Sequence, residues 1–262
     1  MSVLREYAIR EVALATFYSL ENDKPLVFLE NLKTSGLENT GETVYARGGR
    51  GNPKIVGFSG NREGTVTLED AVFTNEVLAM MTGNDLITGT QDIYKREILV
   101  VADGLKVTLN HTPVGDPIKV AEYLANKADG TEYDKDSTLG AGKYTLTGKE
   151  IAFNTGDVVV GDRIVVYYKT ATGNESTKIT VTANKFAGSF KVVLDCLVRS
   201  TLNGRDYAAQ IVIYNAKMED NWGMAFANEG DPAVLNIPLE MLKSPVGEDV
   251  WDMTIYNEDD VD

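Results

Sequence analysis

The sequence predicts a mostly β protein, built as a sheet domain with one short helix and a small all-β module inserted into it. Three observations lead there. Apolar and polar residues alternate with a period of two over most of the chain, the pattern of half-buried strands. The alternating runs are punctuated by turn-forming pairs such as Gly156-Asp157, Gly161-Asp162 and Asn203-Gly204. Only one segment carries both a helix start and a helix stop.

Residues 12–18 read as the first strand, with a helical start from Arg5 as the alternative, and 25–29 as a short second one. Strands over 38–46 and 54–59 flank Arg47-Gly48-Gly49-Arg50-Gly51-Asn52-Pro53, which makes a long hairpin; a separate strand follows over 64–70. The helix spans about 75–82, with Thr74 as N-cap and Gly83 just past its end. Phe73 and Leu78 occupy the two positions of a hydrophobic staple, and Met81 extends the apolar stripe.

Beyond Ile98-Leu99-Val100-Val101 the character changes. Short strand candidates at 107–109, 118–120, 144–146, 150–153 and 163–168 alternate with glycine turns, and 128–131 reads as a polar loop. This spacing suits a small all-β sandwich. Residues 104–180 are therefore expected to form an inserted domain, dividing a discontinuous domain of 1–103 and 181–262. The main sheet resumes at 189–199, where Phe190, Val192, Leu194, Cys196 and Val198 share one face. It returns through Asn203-Gly204 to 207–214, then 222–226, 235–239 and 250–256. Pro238 is expected on an edge or at a bulge, and Glu258-Asp259-Asp260 to begin a frayed acidic end.

At 262 residues and 43% hydrophobic the chain can bury a full core. Its net charge of −14 is uneven: residues 215–262 hold twelve acids and two lysines, whereas 103–183 hold eleven acids and nine bases. That balance argues against gripping nucleic acid, which needs clustered Lys and Arg, but permits a surface along which it slides. Cys196 is the one cysteine, so no internal disulfide is possible. Met1-Ser2-Val3-Leu4-Arg5-Glu6-Tyr7 lacks a secretory pattern, and no apolar run approaches the ~20 residues of a membrane span, so folding in a reducing cytoplasm without a membrane anchor is expected.

Catalytic groupings are scarce. His111 is the one histidine and sits beside Thr112-Pro113, so it reads as a solvated loop residue. Cys196 alternates with apolar neighbours and reads as a buried thiol. Gly48-Gly49-Arg50-Gly51 lacks the Gly-Lys-Ser/Thr and the following helix that a phosphate loop requires. Asp129, Glu132, Asp134 and Asp136 have calcium-like spacing without the full ligand pattern; a solvated acidic loop is the plainer reading. No catalytic residue, metal or cofactor is expected. Arg47, Arg50 and Lys54 make a basic cluster that can pair with acidic surface on a neighbouring copy, as a head-to-tail contact needs.

Several stretches resemble the tail tube (major tail) proteins of long-tailed bacteriophages. Val44-Tyr45-Ala46-Arg47-Gly48-Gly49-Arg50-Gly51-Asn52-Pro53-Lys54 looks like that family's extended hairpin. Residues 65–73 leading to Leu78-Ala79-Met80-Met81-Thr82-Gly83 look like its strand-then-helix unit. Ile211-Val212-Ile213-Tyr214-Asn215-Ala216-Lys217-Met218 and Asn228-Glu229-Gly230-Asp231-Pro232 are similar to its C-terminal part. The resemblance covers roughly 1–100 and 184–262 and implies a β-sandwich or half-barrel protomer with a flanking helix. It implies hexameric rings stacked into a hollow tube of the virion tail, met by sheath, terminator or baseplate proteins and traversed by double-stranded DNA that does not stick. The inserted 104–180 then looks like an Ig-like decoration. A surface adhesin or carbohydrate-binding module, with Tyr123, Tyr144, Tyr167 and Tyr168 of the insert as stacking candidates, is the alternative, as is another phage capsid or baseplate protein; a hydrolase is the weakest reading.

Overall fold

The computed structural model describes residues 6–224 and 234–260. The chain divides into two compact units: Met1–Leu86 with Ile179–Asp262, and Ile87–Lys178. The division falls earlier than residue 104 because the strand Asp92–Val100 belongs to the second unit, for the reason given below.

The first unit begins with β1 (Tyr7–Ile9), β2 (Leu14–Tyr18), β3 (Pro25–Leu29), β4 (Leu32–Arg47), β5 (Lys54–Asp70) and helix α1 (Asn75–Thr82). The second unit contains β6 (Ile87–Thr88), β7 (Asp92–Val100), β8 (Lys106–Thr108), β9 (Lys119–Tyr123), β10 (Asp129–Lys135), β11 (Lys143–Thr147), β12 (Glu150–Phe153), β13 (Arg163–Ala171) and β14 (Thr177–Lys178). The first unit is completed by β15 (Ser189–Ser200), β16 (Asp206–Met218), β17 (Leu235–Met241), β18 (Trp251–Tyr256) and a 3-10 turn at Glu258–Asp260. That turn lies where the acidic end was expected to begin.

The first unit's sheet runs β3-β2-β15-β16-β17-β5-β4, with β1 added to β15 and β18 to β16. Phe17, Val192, Leu194, Val198, Ile213 and Leu68 fill its core, each a member of an alternating run whose other face is wetter. Along β15 the expected stripe from Val192 to Val198 is buried, with Phe190 packed edge-on to Phe17. The helix closes over this core through Val77 and Met81, with Phe73 and Leu78 packed against it at partial burial. Thr74 caps it, its hydroxyl accepting from the Val77 N–H at 3.4 Å. Gly83 ends it at φ +64°, and a Cβ there would sit 2.1 Å from the Phe186 carbonyl oxygen, so only glycine fits.

Two sequence expectations for the first unit are corrected. Residues 54–59 and 64–70 are not separate strands; they are one strand, β5, continuous through Gly60-Asn61-Arg62-Glu63. Pro238 lies inside the sheet, since β17 has β5 on one side and β16 on the other. Its carbonyl accepts from the Glu219 N–H just past the end of β16, so its missing donor points where the ladder has already stopped. Of the expected strand at 222–226, residues 222–224 are not strand, and Ala225 and Phe226 lie outside the described residues, as do Asn228–Pro232.

In the second unit a seven-stranded sheet runs β7-β13-β9-β10-β11-β12-β8, around a core of Val107, Tyr144, Ile151, Ile164, Val166 and Tyr168. β7 pairs with β13 over its full length, from Asp92↔Ala171 to Val100↔Arg163, which is what assigns it to this unit. The expected polar loop at 128–131 instead opens β10, where only Tyr133 turns into the core. Sequence reasoning missed this strand because its apolar stripe is one residue long.

Candidate assembly interface

The most distinctive site is the outer part of the β4–β5 ribbon. Near its base β5 alternates buried and exposed residues, with Val66 and Leu68 fully buried. Farther out the burial stops: residues 38–47 and 54–63 are exposed throughout, yet the two strands stay paired from Glu38↔Thr65 to Arg47↔Lys54. The result is an arm with no core beneath either face.

The arm's two faces differ. Val44 pairs with Phe58 and Ala46 with Val56, which puts four apolar side chains on one face. Val44 is 67% exposed and Phe58 62% exposed. Tyr45, Arg47 and Lys54 lie on the other face, where the Lys54 ammonium sits 3.7 Å above the Tyr45 ring centroid. Gly57 makes room for that ring, because a Cβ there would come within 3.1 Å of Tyr45 and Thr43. The apolar face is displaced from the core stripe by a bulge. Pairing steps from Thr40↔Glu63 to Glu42↔Gly60, leaving one extra residue in β5, with Asn61 at φ +48°. Even-numbered β5 residues thus face the core at the base and the opposite ribbon face farther out. No alternation rule applied to the sequence reveals that switch.

The predicted tip residues are brought together in a compact turn. Gly49 and Gly51 adopt φ of +79° and +90°, and Asn52 adopts +51°. The Gly48 N–H donates to Pro53 O and the Asn52 N–H to Gly49 O. Arg47 reaches the Asn52 carbonyl at 3.5 Å, while Arg50 projects from the apex as an exposed cation. The helix residues Phe73, Thr74, Leu78 and Met81 are not part of this site; they pack on or cap the element covering the core.

The candidates for chemistry disperse. His111 is an exposed loop residue. Cys196 is buried in the first core, and burial, with lesser contributions from Asp195 and Glu11, raises its thiol pKa. Among the described residues no three His, Cys, Asp or Glu side chains gather as metal ligands. In the calcium-like segment, Asp129 is held by Lys119 at 2.8 Å, and Asp136 by Lys143 and the N–H groups of Ser137 and Thr138. Those contacts lower the Asp136 carboxyl to about 2. Of the insert's tyrosines, Tyr144 and Tyr168 are core residues, while Tyr123 and Tyr167 flank Arg96 on the outer face of the sheet. No helix among the described residues is long and apolar enough to cross a membrane.

A family model described as the YomU/Tube protein family matches residues 7–252. A protein named "Tail tube protein" from Bacillus phage SPR is 29% identical over 177 residues, covering 62% of this chain. The chain spans 66% of that relative's own length.

Proposed function

We infer a tail-tube role from one premise: the chain belongs to the YomU/Tube protein family. On this reading the protein is a structural component of a phage tail. Its copies close into rings, six to a ring, and the rings stack into a hollow tube. The observation that carries the reading is the arm. A two-stranded ribbon is at best marginally stable alone in water, and this one exposes Val44, Val56 and Phe58, with nothing among the described residues of its own copy to cover them. A neighbouring copy supplies the missing layer.

Unfinished sheet borders support ring closure. β3 and β4 end the strand path, and β18 is paired on one side only among the described residues. Such borders invite pairing with another chain unless covered. The net charge of −14 suits a lumen that repels phosphates, so double-stranded DNA passes without adhering. The unit Ile87–Lys178 acts as an Ig-like decoration on the outside, and sheath, terminator or baseplate proteins meet the tube at its surface or ends. The tube is built in the host cytoplasm and ends in the virion.

Deleting 47–53 tests this directly. The core of the first unit lies elsewhere, so the variant folds with its normal circular dichroism but stays as single copies or isolated rings. Tubes of ordinary length from the deleted chain would remove the arm from the account.

A further inference from the structure

We propose that the unit Ile87–Lys178 carries a binding face for an acidic polysaccharide, laid along β7 and β13. The inference goes beyond the tail-tube reading and does not depend on it, because every residue involved lies within this one unit.

Strand register builds the face. The core takes Ile164, Val166 and Tyr168 from β13, so Arg163, Val165, Tyr167 and Lys169 point the other way. Pairing with β7 sets Tyr94 beside Lys169 and Arg96 beside Tyr167. Cations and rings then interleave. The Lys169 ammonium lies 5.0 Å from the Tyr94 ring centroid. The Arg96 guanidinium lies 5.6 Å from that of Tyr167 and 5.4 Å from that of Tyr123, and Arg163 lies 4.8 Å from Tyr123 on its own account. Arg96 Nε also donates to the Tyr167 hydroxyl at 3.0 Å. Val165, on the same face, is fully buried under this layer.

Three observations point to the ligand. First, the cations are held by rings and not by acids. Among the described residues Arg96, Arg163 and Lys169 make no ion pair, whereas Lys119 on the same face is tied to Asp129 at 2.8 Å. An anion arriving here finds charges already positioned and nothing to displace. Second, the positive lane is long and narrow. Lys169 and Arg163 mark its two ends, about 20 Å apart at ~3.4 Å per residue of strand. Two strand spacings to one side, roughly 10 Å away, β10 presents Glu132 and Asp134 on either side of core-facing Tyr133, and Asp92 lies past the Lys169 end. Duplex DNA, with a charge every ~1.7 Å of axis, would meet those acids and find few cations. A slender polymer with an anion on every sugar or every second one fits the lane. Third, the tyrosines suit sugar. Tyr94 is 72% exposed, and a tyrosine offers a flat, rigid surface with a polar tip at small entropic cost, matching the C–H faces and hydroxyls of a pyranose.

Biolayer interferometry on the immobilised full chain tests the assignment. The probes are polygalacturonate, a phosphorylated mannan, neutral dextran and double-stranded DNA. Saturable binding of at least one acidic polysaccharide is expected, with the tighter of the two naming the anion, and added salt should weaken it. Arg96→Gln combined with Arg163→Gln should weaken that binding about tenfold or more while leaving the melting temperature unchanged. Lys106→Gln with Lys149→Gln removes the same charge from β8 and the β11–β12 turn and should leave binding intact. If the arginine pair does not fold, Lys169→Gln alone carries the test through a smaller loss. Failure of both acidic polymers to bind, equal binding of dextran, equal weakening by the two variant pairs, or tighter binding of DNA would each overturn the proposal, and none of them touches the tail-tube reading.

Discussion

Replacing Phe58 with threonine separates assembly from folding. Phe58 keeps 62% of its surface exposed on a ribbon with no core beneath it. A phenylalanine can bury roughly 150–250 Å², so about 90–155 Å² is left for a partner to cover. At roughly 25 cal/mol per Å² that cover contributes about 2–4 kcal/mol per contact. Threonine, being β-branched, suits a strand but brings little of that area. The polymerisation threshold, read by pelleting at a series of concentrations, should rise on the order of a hundredfold. Thermal unfolding of the unassembled chain should move by no more than about 0.5 kcal/mol, as for other surface changes. Leu68→Ala is the contrasting substitution. It lies in the same strand but is fully buried, and it should destabilise the fold by about 2–5 kcal/mol. If Phe58→Thr polymerises at the normal concentration, or unfolds as early as Leu68→Ala, the arm's apolar face is not an assembly surface.

Two further outcomes test the fold. Gly83→Ala forces a side chain into φ +64° and onto the Phe186 carbonyl oxygen; strain of about 1–3 kcal/mol plus that collision should appear as a lowered melting temperature. Asp136, held by Lys143 and two backbone N–H groups, has a folded-state pKa of about 2 against an ordinary 3.8. Because the folded value is depressed, its contribution is present above 3.8 and is lost as pH falls toward 2. Melting curves between neutral and acid pH should therefore decline less steeply for Asp136→Asn than for the unchanged chain, and identical slopes would refute the coupling.

Much of this architecture was legible in residues alone. The stripe from Val192 to Val198, the Thr74 and Gly83 caps and the glycine-rich tip all follow from local rules, and the structure obeys them. What escaped the sequence depends on partners far along the chain. Gly60-Asn61-Arg62 looks like a strand break, yet cross-strand pairing with β4 carries the strand through it. β7 looks like another strand of the main sheet until β13 pairs with it. β10 has almost no apolar stripe and exists because β9 and β11 hydrogen-bond to it. The hairpin was visible as a candidate contact, but its apolar face was not, because one bulge residue decides which side Phe58 occupies.

Electron microscopy of the purified chain, alongside size-exclusion chromatography, reaches the central claim with fewest assumptions. Hollow filaments of uniform bore, built by the unmodified chain and lost when 47–53 are removed, are the predicted images. A chain that stays a single copy at every concentration, even when seeded with preformed tail tubes, would contradict the account.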